Sequence, residues 1–239
     1  MLDAAQAHGH IADDKANPAR WKGHLDKLLP RPAKLSRGHQ KALPYADVPG
    51  FVQRLRASDN MAALALEFLI LTATRTNETL GAQWREVDLE NATWTIPPSR
   101  MKTGDAFSVP LPDRTIAILA GARSQARKEP GPDSFVFFGA VPKKPLSNMA
   151  LAMILRRMDV DATSHGFRSS FRTWCSDVAH VPFEVAEACL SRKIGSAVSR
   201  AYARSDMLER RRPVMAQWAA FLDDERGSAT VVPFVDKRR

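Results

Sequence analysis

The chain has 239 residues, 44% of them hydrophobic, which is enough apolar material for a folded core and excludes a wholly disordered protein. Its 35 Lys and Arg outnumber its 26 Asp and Glu and leave a net charge of +9, which favours a polyanionic partner, nucleic acid first, over acidic or neutral ligands. Two cysteines, Cys175 and Cys189, are too few for a disulfide framework or a zinc ribbon, and no secretory signal pattern is present, so we expect a reduced, cytoplasmic protein.

Residues 1–43 differ in character from the rest of the chain. They carry turn-forming pairs such as Asn17-Pro18 and little sustained hydrophobic periodicity, which predicts a short helix followed by an arm or linker. From Pro44 the pattern becomes globular, and we expect one folded domain over residues 44–224. The remaining segment, residues 225–239, is a basic tail.

Two helices are predicted after the linker. The first lies near Val48–Ala57, and Ser58 or Asp59 is the expected cap of the second, the apolar helix Met61–Thr72. A bilayer span needs roughly 18 apolar residues, whereas this run is shorter and contains Glu67. The sequence therefore predicts a buried helix and no membrane segment.

The middle of the chain changes to the alternation that is typical of strands. Thr93–Ile96 and Phe107–Leu111 flank the turn residues Lys102–Asp105, which predicts a β-hairpin. Phe135–Phe138 fits a third short strand, although four consecutive apolar residues do not distinguish a strand from a helix. Helices are expected from there to Asp223, and Pro213 either interrupts the last of them or is the first residue of a new helix. The expected helices are Asn148–Arg157, Gly166–Asp177, Phe183–Leu190, Ala197–Ala203 and a last one that begins near Asp206.

Familiar catalytic signatures do not occur in the sequence. It has no P-loop, no glycine-rich dinucleotide turn, no His-Glu-x-x-His and no Gly-x-Ser-x-Gly pattern, and we predict no cofactor and no metal. What remains is a set of cations and one tyrosine. These candidates are Arg75, Lys102, His165, Arg168 and Tyr202.

The candidates suit chemistry at a phosphodiester. His165 and Arg168 are three residues apart at the start of a predicted helix, where backbone N–H groups and the helix dipole favour an anion. Several cations at one phosphate can neutralise the charge of a pentacoordinate transition state without a metal. Tyr202 lies in an arginine-rich segment, so it is a better candidate nucleophile than Tyr45, the other tyrosine.

Each candidate also has an ordinary structural interpretation. Arg75 fits a helix-end ion pair with Glu78, His165 a capping or core histidine, Lys102 a solvated turn lysine, and Tyr202 a half-buried packing residue. Only their joint occurrence in this order favours the functional interpretation. Trp84, Trp94, Trp174 and Trp218 are most simply core residues.

In this order the residues resemble the catalytic constellation of the tyrosine recombinases, and of prophage-type integrases in particular. The likeness extends from Asn17 to Ala220 and is carried by the segments HGFRSSFRTW, FEVAEACLS and AYARSD. The resemblance implies a mainly α-helical catalytic domain with a small antiparallel β-sheet. It also implies a role for each candidate, with no need for ATP or metal: Arg75 and Arg168 clamp the scissile phosphate, Lys102 protonates the leaving 5′ oxygen, His165 assists the tyrosine proton, and Tyr202 forms a 3′-phosphotyrosyl DNA intermediate.

Two features depart from the family pattern. Ten residues before Tyr202 the family usually has His and sometimes Trp, and this chain has Arg192. An arginine can still hydrogen-bond a phosphate oxygen, so Arg192 joins the candidate site, although it equally fits a decayed one. The second departure is length, because residues 1–43 match only a remnant of the core-binding domain and its linker, so we expect a truncated integrase.

The resemblance further implies double-stranded attachment-site DNA as the partner, a homotetramer assembled on that DNA, and a nucleoid-associated location. Two other functions stay open. The chain is then either a weakened or inactive integrase remnant that only binds DNA, or a type IB topoisomerase, which shares the phosphotyrosine chemistry.

Overall fold

The structure is a computed structural model that describes residues 2–12, 17, 20–29, 40–141, 143–192 and 207–224. By its internal contacts the chain divides into two compact units, Met1–His39 and Gln40–Arg239. The first unit contains the short helix α1 (Leu2–Ala7) and a π-helical turn, Trp21–Leu25, that runs into α2 (Asp26–Leu28). Neither α1 nor α2 has a buried residue.

The second unit is mainly α-helical around one small antiparallel sheet, which confirms the predicted fold class. Its helices are α3 (Val48–Arg56), α4 (Met61–Thr72), α5 (Thr76–Leu80), α6 (Asp113–Ser124), α7 (Asn148–Arg157), α8 (Phe167–Asp177), α9 (Phe183–Cys189) and α10 (Leu208–Asp223). The strands β1 (Val87–Asp88), β2 (Thr93–Ile96) and β3 (Phe107–Pro110) pair in the order β1-β2-β3, with Trp94 opposite both Val87 and Val109.

The core forms around α4, which contacts α3, α5, α6, α7 and α10. Ten of its twelve residues are buried, as its continuous apolar run predicts. An aromatic cluster of Phe171, Trp174, Trp218 and Phe221 joins α8 to α10, and the Trp218 indole donates a 2.9 Å hydrogen bond to the Ile70 carbonyl. This packing fixes the end of α4 and the start of α8, which carry candidate residues.

The structure corrects several sequence predictions. The cap of α4 is Asn60, whose side chain accepts from the Ala63 amide, and not Ser58 or Asp59. Phe135–Phe138 is not a strand, since it makes only isolated bridges, from Phe135 to Gln83 and from Phe138 to Pro145. The third strand is β1 instead.

Proline 213 is the other correction. It lies inside α10, which begins at Leu208, and does not start a new helix.

The predicted helix Ala197–Ala203 lies outside the described residues. Helices α8 and α9 match the predicted ones to within a residue at each end. Among the helices that the structure describes, none has the length and apolar character to cross a membrane.

Candidate active site

Arg75 lies in the tight connection between α4 and α5. Helix α4 ends at Ala73 in a left-handed conformation, and Arg75 then caps α5. The buried Glu78 carboxylate accepts from the Arg75 backbone amide at 2.7 Å and from its Nη1 at 2.6 Å. The ion pair foreseen as the structural alternative is therefore present, and it orients a guanidinium that is still a quarter exposed.

Arg168 lies beneath this connection, with only 3% of the residue exposed. Its Nη1 donates to the Ala73 carbonyl and its Nη2 donates to the Leu190 carbonyl at 2.7 Å, so it joins the ends of α4 and α9. Its Nε is buried and has no hydrogen-bond partner among the described residues. Burial, together with repulsion from Arg75, lowers the pKa of Arg168 to about 10.

Two amides at the start of α8 donate within their own turn. The amides of Arg168 and Ser169 donate to the carbonyls of His165 and Gly166 at 3.2 and 2.8 Å. The sequence argument expected these amides to attract an anion, but they are already engaged. The side chains of Arg168, Arg75 and Arg192 add positive charge around this turn.

His165 precedes α8 and is exposed. Partial desolvation lowers its pKa below the usual 6.5, and the charges of Arg168, Arg75 and Arg192 lower it further. The imidazole is therefore neutral at pH 7 and can accept a proton. Ser164 beside it shares a 2.9 Å hydrogen bond with Thr76, which attaches this turn to α5.

Lys102 lies in the turn after β2 and is exposed. It lines an open groove of about 470 Å³ together with Arg75 and His165. Arg100, which the sequence analysis did not single out, lines the same groove and donates to the Glu78 carbonyl at 2.8 Å. Arg100 thereby links the Lys102 turn to α5, the helix that Arg75 caps. In the sequence, its position two residues before Lys102 was the feature that could have marked Arg100 as a site residue.

Arg192 follows α9 and is about half exposed. Its Nη1 lies 3.2 and 3.4 Å from the two carboxylate oxygens of Glu187, and Arg172 Nε donates to the same carboxylate at 2.7 Å. Its charge contributes to lowering the pKa values of His165 and Arg168, so Arg192 belongs to the same electrostatic cluster.

The two tyrosines differ in what the structure says of them. Tyr202 lies outside the described residues, within 193–206. Tyr45 packs against the core with its ring 6.4 Å from that of Phe221, so it has a structural role.

The described residues contain no group of three His, Cys, Asp or Glu side chains that could hold a metal ion. The groove instead combines two guanidinium groups, an ammonium and a neutral imidazole around one open volume. Such a set can bind a phosphate group and stabilise added negative charge on it.

Comparison with known proteins agrees with this chemistry. Residues 43–209 match the phage integrase family. The chain is 34% identical over 173 residues to the prophage integrase IntA of Escherichia coli K12, a match that covers 71% of this chain and 41% of that protein. It is 30% identical over 210 residues to the integrase of Shigella phage Sf6, which covers 83% of this chain and 54% of that protein. The chain thus spans about half the length of these relatives.

Solved structures show the same fold at lower identity. The integrase from mycobacterium phage Brujita superposes with a TM-score of 0.55 at 17% identity and covers 92% of this chain and 72% of that one. A lambda integrase (75-356) dimer bound to a COC' core site has a TM-score of 0.53 at 18% identity, with coverage of 81% and 68%. A lambda integrase tetramer bound to a Holliday junction also has a TM-score of 0.53 at 18% identity, with coverage of 86% and 56%.

Proposed function

The chain belongs to the phage integrase family, as its sequence resemblance predicted, and from this we propose that it is a site-specific recombinase. It cleaves and rejoins double-stranded DNA through Tyr202, with a 3′-phosphotyrosyl intermediate. Residues 44–224 form the catalytic domain, and residues 1–43 are the end of a core-binding domain with its linker. The tail, residues 225–239, adds basic charge.

One observation carries the proposal. Arg75, Lys102 and His165, which are separated by up to 90 residues in sequence, line one groove, and Arg168 is buried at the connection that holds Arg75. If Lys102, Arg75 and His165 had only the ordinary structural roles considered above, nothing would require them to line the same groove. Burial is the main cause of the lowered pKa of Arg168 and repulsion from Arg75 adds to it; a bound anion relieves that repulsion, so the cluster favours a phosphate.

The reaction assigns one step to each group. The phenolic oxygen of Tyr202 attacks the phosphorus atom while its proton passes to the neutral imidazole of His165. The bond from phosphorus to the 5′ oxygen breaks, and Lys102 donates a proton to that oxygen. Arg75 and Arg168 neutralise the non-bridging oxygens in the pentacoordinate transition state. Because the phosphotyrosyl ester retains the energy of the broken bond, the free 5′ hydroxyl of another strand can reverse the step.

The partners in this proposal are double-stranded attachment-site DNA and further copies of the chain, in a homotetramer on paired sites. The lambda integrase structures, a dimer on a core site and a tetramer on a Holliday junction, support both. The net charge of +9 provides the electrostatic attraction to DNA, and we propose that the protein acts at the nucleoid.

A nicked suicide duplex tests the catalytic proposal. It carries the attachment sequence, read from the junctions of the element that encodes the chain, and the nick lets the leaving strand diffuse away. We expect a covalent adduct on a denaturing gel with the wild-type chain and with Tyr45→Phe, and none with Tyr202→Phe. No adduct with the wild type, or an equal adduct with Tyr202→Phe, contradicts the proposal.

A second candidate function is DNA binding without cleavage. The observation that favours it is Arg192, whose side chain binds Glu187 at the position where the family usually has histidine. This candidate predicts no adduct, together with an affinity for DNA that falls by roughly 0.9 log units per log unit of salt for each phosphate contacted. The suicide duplex and a salt titration of binding separate the two functions.

A further inference from the structure

Helix α9 ends in a turn whose conformation does not suit its residue. The amide of Ser191 donates to the Ala188 carbonyl and that of Arg192 to the Glu187 carbonyl, both at 3.0 Å, which is the Schellman pattern of hydrogen bonds. Ser191 occupies the left-handed position of this motif with φ at +49°. Glycine adopts this conformation without strain and is the usual residue there, whereas serine is strained. The strain directs attention to what the Ser191 side chain contacts.

The Ser191 hydroxyl has a partner in the candidate site. Its Oγ accepts a 2.7 Å hydrogen bond from Nη1 of Arg75, which lies 116 residues earlier in the chain. The same Nη1 donates to Glu78 at 2.6 Å, so it is held from two sides by two different elements. Glycine at this position could form the turn but could not form this contact.

The preceding residue holds the other arginine. The Leu190 carbonyl accepts from Nη2 of Arg168 at 2.7 Å. The turn Leu190–Ser191 therefore bonds both arginines of the proposed phosphate clamp, the buried Arg168 through the backbone and Arg75 through a side chain. A shift of this turn, or loss of the hydroxyl, changes the spacing of the two guanidinium groups.

We propose that Ser191 is a positioning residue for Arg75. Its hydroxyl holds the guanidinium between Glu78 and the end of α9, so that the remaining Arg75 donors are directed into the groove before an anion arrives. Without the hydroxyl, Nη1 is held by Glu78 alone, and the side chain gains freedom that phosphate binding must remove. The inference deepens the proposed function, because the anion in that function is the scissile phosphate.

Binding of inorganic phosphate tests the inference without DNA and without Tyr202. The full chain is titrated with phosphate while the Arg75 Nε–H signal is followed by NMR. We expect Ser191→Gly to weaken phosphate binding by about 3- to 10-fold, which is the range for the net worth of one ordinary hydrogen bond. It should not lower the melting temperature, because glycine relieves the left-handed strain. Ser191→Ala should show the same loss of affinity with a lower melting temperature.

Two controls separate the hydroxyl from the backbone. Ala92→Gly relieves a left-handed conformation, φ +46°, in the turn between β1 and β2, and should leave phosphate affinity unchanged. In an Arg75→Ala background the Arg75 signal is absent, so phosphate binding is measured by calorimetry. There Ser191→Gly should cause no further loss of phosphate affinity.

Three results overturn the inference: unchanged affinity in Ser191→Gly, an equal loss in the Arg75→Ala background, or no effect of phosphate on the wild-type Arg75 signal. Absence of the Tyr202 adduct alone overturns the proposed function and leaves the inference standing.

Discussion

Gly166 lies so close to Lys41 that a Cβ atom at position 166 would be 2.0 Å from the Lys41 carbonyl oxygen. The Thr163 amide donates to the same carbonyl at 2.9 Å, so the segment before α3 packs directly on the turn that carries His165 and Arg168. The glycine in the segment HGFR is therefore required by backbone packing, and the clashing atoms belong to the main chain and cannot rotate away.

Gly166→Ala should accordingly displace this turn. We expect an overpacking loss of about 1–3 kcal/mol in the free energy of unfolding, measured in urea, and a large loss of cleavage, because both His165 and Arg168 move. Gly50→Ala is the matched control, since nothing lies within 4 Å of a Cβ atom there and alanine favours α3. Equal stability of the two variants would show that the main chain at Lys41 can move away from position 166 at little cost in free energy.

Glu67 is the one carboxylate inside the apolar helix α4, and it is 1% exposed. It accepts from Arg56 Nε at 2.6 Å and from Arg114 at 2.8 and 2.7 Å, and these bonds raise the pKa of Arg114. Glu67→Gln should lower the free energy of unfolding by about 3 kcal/mol, because it removes the buried carboxylate that Arg56 and Arg114 share and leaves the more exposed Asp223 as the remaining partner of Arg56.

The matched control for Glu67 is Glu129→Gln. Glu129 also pairs with an arginine, Arg123, but its side chain is 72% exposed, so the change should stay within about 0.5 kcal/mol. Urea denaturation of both variants measures the difference. A loss in Glu67→Gln no larger than in the control would mean that water replaces the carboxylate.

The hydrophobic pattern of the sequence was enough to predict helix α4 and the hairpin of β2 and β3. The apolar run gave the bounds of α4, and the alternation of Thr93–Ile96 with Phe107–Pro110 gave the hairpin. The run Phe135–Phe138 was misinterpreted because apolar character does not say whether a neighbouring strand exists. Its bridge at Phe138 ends at Pro145, which has no N–H to continue a ladder.

Tertiary packing overrides local preference at Pro213. A proline within a helix removes one hydrogen bond, which favoured a break there. Helix α10 continues through it because Val214, Met215 and Trp218 are buried beyond it. The residue types of the candidate site could be identified from the sequence. The contact of Ser191 with Arg75 could not, because it depends on a topology that brings distant segments together.

The lowered pKa of His165 sets the direction of a pH dependence. Desolvation and the charges of Arg168, Arg75 and Arg192 keep the folded pKa below 6.5, so the imidazole stays neutral as the pH falls to that value. The rate of adduct formation should therefore fall towards acid pH, with the midpoint of the acid limb below pH 6.5. The histidine binds its proton more readily in the unfolded chain, so its contribution to stability is likewise lost as the pH falls below 6.5.

Removal of one neighbouring charge checks this cause. Arg192→Ala should move the acid limb of the rate profile to higher pH, and Arg85→Ala, an exposed arginine paired with Asp133, should not. The His165 Cε1–H signal in an NMR titration measures the same shift without DNA. Coincident profiles for Arg192→Ala and the wild type would assign the acid limb to another group.

Replacement of Arg192 tests whether this residue weakens the site or takes over the role of the histidine that the family usually has there. Its Nη1 is bound to Glu187, and its charge adds to a cluster that already repels Arg168. Arg192→His removes that fixed charge at neutral pH and supplies an N–H donor and a proton acceptor within the electrostatic cluster of His165 and Arg168. We expect single-turnover cleavage of the suicide duplex to rise by at least about 10-fold, the low end for a positioned acid or base. Arg172→His, at the other arginine on Glu187, should give no rise. A rate that stays level or falls in Arg192→His would contradict the interpretation of Arg192 as the residue that weakens the site.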